Sequence, residues 1–495
     1  MQSTIDDFKE VSHQITQILS SYLLKSHSAY GQVLQQKNAT KLAEEMRLEK
    51  WIIEGNLTET DINEFMHVFL SNSQHLHHPH YIGHQAAGPH LASSIADYIN
   101  GVVNNPVGIY EMGPSTITIE KVIVNWMLQK IGWFKGNSIE NCSYIEGNGG
   151  GVLTHGGSMA NLTALLAARA HLAPDAWIEG TPDDIAVLVP EVSHYSLFRA
   201  VSIIGLGQKS LIPIKVNKNE IVELESLYTA YEQALTQGKR VMAVVANACA
   251  TSTGLYDPIF EMGQFCNENN IWFHVDGAHG ASALLSERKK KHLYGVELAD
   301  SMTWDAHKML RTSTLCAAIL VKDQQKLENT FRQKGNYLFH EKEQVGFDLL
   351  STTIECTKSG LGNKVFWALS AEGEKSIGDN VEKLYDNADI FYKLISQTPD
   401  FECPYQPQSN ILCFRYIKYG KADDFQLLIR NEVVKRGNFF ITSTTVNGAR
   451  FLRLAIMNPL TEIRHIENLM EEITLVAEIL YSTMTEISTA RHKTI

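Results

Sequence analysis

Two runs decide how this chain is read: Trp272-Phe-His-Val-Asp-Gly-Ala-His-Gly280, and, a little further on, Ser301-Met-Thr-Trp-Asp-Ala-His-Lys-Met-Leu310. Each is a short apolar run that breaks into a turn, the pattern of a buried strand. The first delivers Asp276 into the small residues Gly277, Ala278, His279 and Gly280, and the second delivers Asp305, His307 and Lys308. Ligands of open α/β sheets gather at such strand ends. A carboxylate at one strand end and a lysine at the next suit pyridoxal 5'-phosphate (PLP). Its aldehyde condenses with a lysine amine, and its pyridine nitrogen stays protonated beside a carboxylate. The same residues also have plainer uses, Asp as a turn or helix cap and Lys as a solvated surface cation.

Composition narrows the class. The chain has 495 residues, enough for a large core and more than one domain, with ordinary hydrophobic and charged fractions of 44% and 20%. A formal charge of -12 argues against nucleic acid or an anionic membrane as partner, since both call for clustered Lys and Arg. The basic run from Arg288 to Lys291 reads as a solvated loop. Seven scattered cysteines, odd in number and without a C-x-x-C pair, fit reduced thiols and neither a disulfide frame nor a zinc site. The N-terminus lacks a secretory pattern and no apolar stretch has membrane-spanning length, so a soluble, cytoplasmic protein is expected.

Along the chain, apolar residues at helical spacing from Ile5 to Leu23 predict an amphipathic helix, and a second is expected from about Thr58 to Leu70. Six histidines fall between His75 and His90, without the carboxylate or cysteine co-ligands of a metal centre, and no metal site is expected. Gly156, Gly157 and Ser158 stand directly before an Ala- and Leu-rich helix, whose first turn offers N–H groups to an anion. From residue 185 apolar strands alternate with helical connections, which predicts a largely parallel sheet with helices on both faces. Beyond about residue 385 the pattern changes to a small α+β unit, with a helix near Asp423 to Arg436 and a last one from about Thr461 to Leu480. Three regions follow: a helical segment over 1–90, a large α/β domain over 91–385 and a small α+β domain over 386–495.

HVDGAHG and DAHK resemble the two signature motifs of the PLP-dependent group II amino-acid decarboxylases, the family of glutamate, aromatic-L-amino-acid and diaminobutyrate decarboxylases. They follow GGS and a His194 block in the family's order, and the resemblance runs from about residue 50 to the C-terminus. It implies a fold-type I PLP enzyme that removes the α-carboxyl of an L-amino acid, as a homodimer with the N-terminal helices covering the partner subunit. It assigns the cofactor's lysine to Lys308, the pyridinium partner to Asp276, the ring-stacking histidine to His194 and the phosphate cradle to Gly157 and Ser158. Thr251, Ala278, Asp305 and His307 complete the cofactor-contacting set. His84 and Gln85 become candidates for substrate contact and incline the reading toward a small polar aliphatic amino acid. Tyr337, in a polar stretch expected to be a mobile loop, corresponds to the tyrosine that returns a proton to the carbanion.

Two departures stand out. Met159 replaces an acidic residue that often follows the serine, and Lys358, Ser359 and Gly360 occupy a block that is usually arginine-rich at its start. An aldehyde-forming reaction on the same scaffold is the alternative chemistry. A PLP-binding paralogue without catalysis is the second, opposed by the presence of Lys308, Asp276 and Tyr337 together. Arg453 is open between a carboxylate clamp and a structural role.

Overall fold

Trp272–Asp276 and Ser301–Asp305 are both strands, every residue buried, and they lie side by side in one sheet. The structure, a computed structural model, describes residues 4–331 and 346–492. In chain order the strands are β1 (Gly150–Thr154), β2 (Ile185–Pro190), β3 (Leu211–Ile214), β4 (Arg240–Asn247), β5 (Trp272–Asp276), β6 (Ser301–Asp305), β7 (Ala317–Val321), β8 (Phe401–Glu402), β9 (Ile411–Tyr416), β10 (Thr442–Val446) and β11 (Ala449–Ala455). The chain forms two compact units. One comprises 1–88, 387–404 and 412–495, the other 89–386 and 405–411.

The second unit is built on a seven-stranded sheet of order β1-β7-β6-β5-β4-β2-β3. Strands β2 to β6 run parallel, as alternation of strand and helix demands, whereas β7 is antiparallel to both β6 and β1. The sequence pattern marks β7 but not β1, because Gly-Gly-Val-Leu-Thr is short and half of its apolar signal is lost to glycine. Register sets the site: Asn247 pairs with Asp276, and Asp276 with Thr303, so β4 and β5 end level and β6 runs on to Asp305. The helix Gly157–Leu172 is buried on almost every side, packing Ala160, Leu165 and Ala168 against Val187, Val245 and Ile319. Such all-round apolarity marks a helix clamped between layers. Each fully buried Leu or Val contributes about 1.5–3 kcal/mol, which holds the helix start fixed against the strand ends.

The first unit carries the helix Ile5–His27, begun by Thr4 accepting from the Asp7 amide, and Glu59–Ser71, begun by a capping box between Thr58 and Asp61. Its sheet has the order β10-β11-β9-β8. The helix Asp423–Arg436 matches its expected bounds, while the last helix, Ile463–His492, starts later and runs further than expected. Arg453 is buried and donates to the carbonyl of Gly83 at 3.2 Å and to Thr442 at 3.4 Å, a structural use.

The basic run is not simply a solvated loop. Arg288 bonds Glu382 and Asp386, Lys289 reaches Asp386 at 2.9 Å, and Lys290–Leu293 forms a 3-10 turn. The histidines between 75 and 90 mostly serve backbone. The ring of His75 bonds the carbonyl of Leu70, His78 accepts from the His80 amide, and His90 caps the helix Leu91–Val103 by accepting from the Ala92 amide. Among the described residues no cluster is suited to a metal ion, and no helix is long and apolar enough to cross a membrane.

Candidate active site

A cavity of about 380 Å³ opens at the carboxyl ends of β4, β5 and β6 and is built from residues of the second unit. Its lining includes Gly157, Ser158, His194, Thr251, Asp276, Ala278, Asp305, His307 and Lys308, so these nine sequence candidates come together. His84 and Gln85 belong to the first unit, where the His84 ring lies 5.2 Å from that of Phe440. Tyr337 lies outside the described residues.

Lys308 follows β6 in a tight turn that returns its ammonium to Asp305, Nζ to Oδ2 at 3.1 Å. Asp305 is almost fully buried, and its other oxygen, Oδ1, has no hydrogen-bond partner. That is an unusual state for a buried carboxylate oxygen. Directly opposite is the backbone of Gly157: a Cβ there would meet Asp305 Oδ1 at 2.7 Å, so only glycine lets helix and carboxylate approach this closely. Gly156, the N-cap, has φ +105°, in the region that favours glycine. The helix thus presents the amides of Gly157 and Ser158 in its first turn, where backbone N–H groups have no helical acceptor.

Asp276 ends β5 and is 7% exposed. Its Oδ1 accepts from the Ala278 amide at 3.2 Å and its Oδ2 from the carboxamide of Asn161 at 2.8 Å. His194 caps the helix Tyr195–Ile203, its Nδ1 accepting from the Ser196 amide at 3.3 Å and meeting Ser196 Oγ at 2.8 Å. Burial lowers the basicity of the His194 imidazole, against the opposing pull of Asp276. His307 is held by Cys316, with Nδ1 2.7 Å from the Cys316 carbonyl, and its Nε2 lies 3.8 Å from Asp305. A helix start for an anion, a lysine at the cavity wall and a buried carboxylate on an adjacent strand fit a phosphorylated pyridine aldehyde.

A family model for the pyridoxal-dependent decarboxylase conserved domain matches residues 45–417. The chain belongs to the pyridoxal-dependent decarboxylase family. Among curated relatives it is 25% identical to L-2,4-diaminobutyrate decarboxylase of Acinetobacter baumannii over 446 residues, covering 86% of this chain and 85% of that one. It is 26% identical to the acidic amino acid decarboxylase GADL1 of Homo sapiens over 420 residues, covering 81% and 78%. Its fold superposes on the crystal structure of mouse CSAD in apo form with a TM-score of 0.87 at 23% identity, over 96% of this chain and 99% of that one. Membership brings the fold-type I architecture, a site for PLP and amino-acid decarboxylation as the activity class.

Asn161 and His155 also line the cavity of this decarboxylase, and little in the sequence points to them. Asn161 lies one helical turn beyond Ser158 and meets Asp276; the spacing is visible, but its partners come from three other elements. His155, just before the glycines, bonds Glu355 at 2.7 Å and Ser359 at 3.0 Å. In the block that departs from the arginine-rich pattern, Lys358 is fully buried and bonds both oxygens of Glu120.

Proposed function

We propose that this protein removes the α-carboxyl group of a small polar aliphatic L-amino acid, using PLP held on Lys308, and releases the corresponding amine. The observation that carries the proposal is the meeting, in one cavity, of Lys308, the Asp276 carboxylate and a glycine helix start that a single added methyl would close. PLP, when bound, supplies an electron sink for the pair left behind by departing CO2.

The residues divide the remaining work. The amides of Gly157 and Ser158, with the Ser158 hydroxyl, hold the phosphate. Asp276, fixed by Ala278 and Asn161, would be the partner of the ring nitrogen and favour its protonated form. Lys308 Nζ, at the cavity wall, would hold the cofactor through its aldehyde carbon. His194 would pack against the bound ring, and Thr251, Ala278, Asp305 and His307 line the same cavity. The Tyr337 hydroxyl would donate the proton that takes the place of the departing carboxyl group.

The substrate class is supported by the names of the curated relatives, a diaminobutyrate and an acidic amino acid decarboxylase, and by polar His84 and Gln85 as candidate contacts. A homodimer is supported by the helix Leu91–Val103, where Leu91, Ile95, Tyr98 and Val102 form one exposed apolar face. A cytoplasmic location is supported by seven scattered cysteines, odd in number and without a C-x-x-C pair.

A panel of L-amino acids assayed for CO2 and amine tests the reading, with Tyr337→Phe in parallel. The wild type is expected to yield amine and CO2 in equal amounts from a polar aliphatic substrate. The variant is expected to release CO2 with little amine, yielding aldehyde, ammonia and peroxide in air. Normal amine yield and rate in Tyr337→Phe would remove the tyrosine from the mechanism. Aldehyde from the wild type would favour the alternative chemistry.

A further inference from the structure

We propose that Asn161 is the positioning residue of this site, one carboxamide that fixes the Asp276 carboxylate and, through Ser196, the His194 ring. The inference rests on reading the cavity as a PLP site. It deepens that reading by saying how two groups on different elements are held in register.

All four hydrogen-bonding capacities of the Asn161 side chain are used, and the residue is 1% exposed. Its nitrogen donates to Asp276 Oδ2 at 2.8 Å and to Ser196 Oγ at 2.9 Å. Its oxygen lies 2.6 Å from Thr303 Oγ1 and 3.1 Å from His274 Nε2. Thr303 and His274 are both fully buried. The partners thus come from β5, β6 and the first turn of the helix Tyr195–Ile203, and Asn161 itself from the helix that carries the phosphate cradle.

The two ends of this network set the direction of every proton. An ionised carboxylate only accepts, so the amide nitrogen faces Asp276 and the amide oxygen faces Thr303 and His274. His274 must then carry its proton on Nε2. Its Nδ1 accepts from Ser301 Oγ at 2.9 Å, and Ser301 Oγ accepts from the Trp272 indole N–H, a donor only, at 2.8 Å. On the other branch Ser196 receives the second amide proton and gives its own to His194 Nδ1 at 2.8 Å, where the Ser196 backbone N–H also donates. His194 is therefore held with its proton on Nε2. Full burial pushes His274 down to about 4, with Asp276 opposing, so it stays neutral and the tautomer is preserved across ordinary pH. Fully satisfied buried networks of this kind fix a single arrangement.

The test uses full-length protein stripped of PLP and reconstituted. It reads PLP affinity by quenching of tryptophan fluorescence, the pH midpoint of the bound cofactor's visible band, and the melting temperature of the stripped protein. Asn161→Ala is expected to weaken PLP binding about tenfold and to move the pH midpoint by about one unit, as loss of a charge-assisted hydrogen bond to the ring's carboxylate partner implies. Two histidine variants separate positioning from packing. His274→Gln places an N–H near the Nε2 position and is expected within about twofold of wild type, whereas His274→Leu, without a donor, should shift both readouts in the same sense as Asn161→Ala. Wild-type affinity and midpoint in folded Asn161→Ala overturns the proposal. Where that variant yields no folded protein, the histidine pair decides: equal behaviour of Gln and Leu overturns it, and a shift confined to Leu supports it. Failure of the wild type itself to bind PLP overturns the cofactor reading, and is visible before any variant is measured.

Discussion

Replacing Lys358 with methionine isolates one buried charge. The Lys358 side chain is 0% and that of Glu120 1% exposed, and the ammonium bonds both carboxylate oxygens. Besides Lys358, Glu120 accepts from the Leu153 amide of β1 at 3.0 Å, and the backbone of Lys358 pairs with Val107 in both directions. Methionine fills a similar volume and leaves that backbone pairing intact, so the change is confined to the ammonium. A carboxylate left in this position with one amide donor costs about 3–5 kcal/mol, far more than the pair itself contributes over an apolar replacement. Glu120→Gln in the Lys358→Met background removes the orphaned charge and keeps an oxygen for Leu153, so it should return most of the loss. Urea titrations followed by tryptophan fluorescence measure all three proteins. A loss under about 1 kcal/mol in the single variant, or a double variant no more stable than the single one, would mean that Glu120 is not left as an uncompensated buried charge.

Gly157→Ala puts a methyl 2.7 Å from Asp305 Oδ1 and 3.0 Å from Oδ2, and must displace a carboxylate that also holds Lys308. Overpacking of this size costs about 1–3 kcal/mol, and PLP affinity measured by equilibrium dialysis should fall roughly tenfold to a hundredfold; unaltered affinity would move the phosphate elsewhere. Acid should destabilise the protein earlier than carboxylates alone require. His78 and His80 in the first unit and His274 in the second are each pushed down to about 4, mainly by burial. A folded value below the unfolded one means that the unfolded chain binds the proton first. The contribution is therefore whole above pH of about 6.5 and is lost as pH falls toward 4. Melting temperatures should decline through that window, and a flat profile would contradict the assignment.

What is legible in the sequence is local. β5 and β6 are runs of five buried residues ending in aspartate, so the pattern of residue types alone puts the carboxylates and the following lysine at strand ends. Gly156 and Gly157 announce a helix start because no side chain suits the backbone angle of one or the close approach of the other. Residues whose use depends on several elements meeting are not legible. Asn161 reads as an ordinary polar position in an Ala-rich helix until β5, β6 and Ser196 are brought around it. Arg288 and Lys289 look like a solvated basic run because Glu382 and Asp386 stand almost a hundred residues away. β1 is hidden by its glycines, which are there because Cβ atoms would strike Gln324 and the Ile319 carbonyl.

Lys308 is proposed to carry the cofactor of a decarboxylation. Release of labelled CO2 from carboxyl-labelled amino acids, compared between PLP-loaded wild type and Lys308→Ala, tests it most directly. CO2 in step with amine is expected from the wild type. None above background is expected from the variant, which should still bind PLP through its phosphate while the visible absorption tied to the lysine is gone. Undiminished CO2 release from Lys308→Ala, or none from the PLP-loaded wild type with any amino acid, would contradict it.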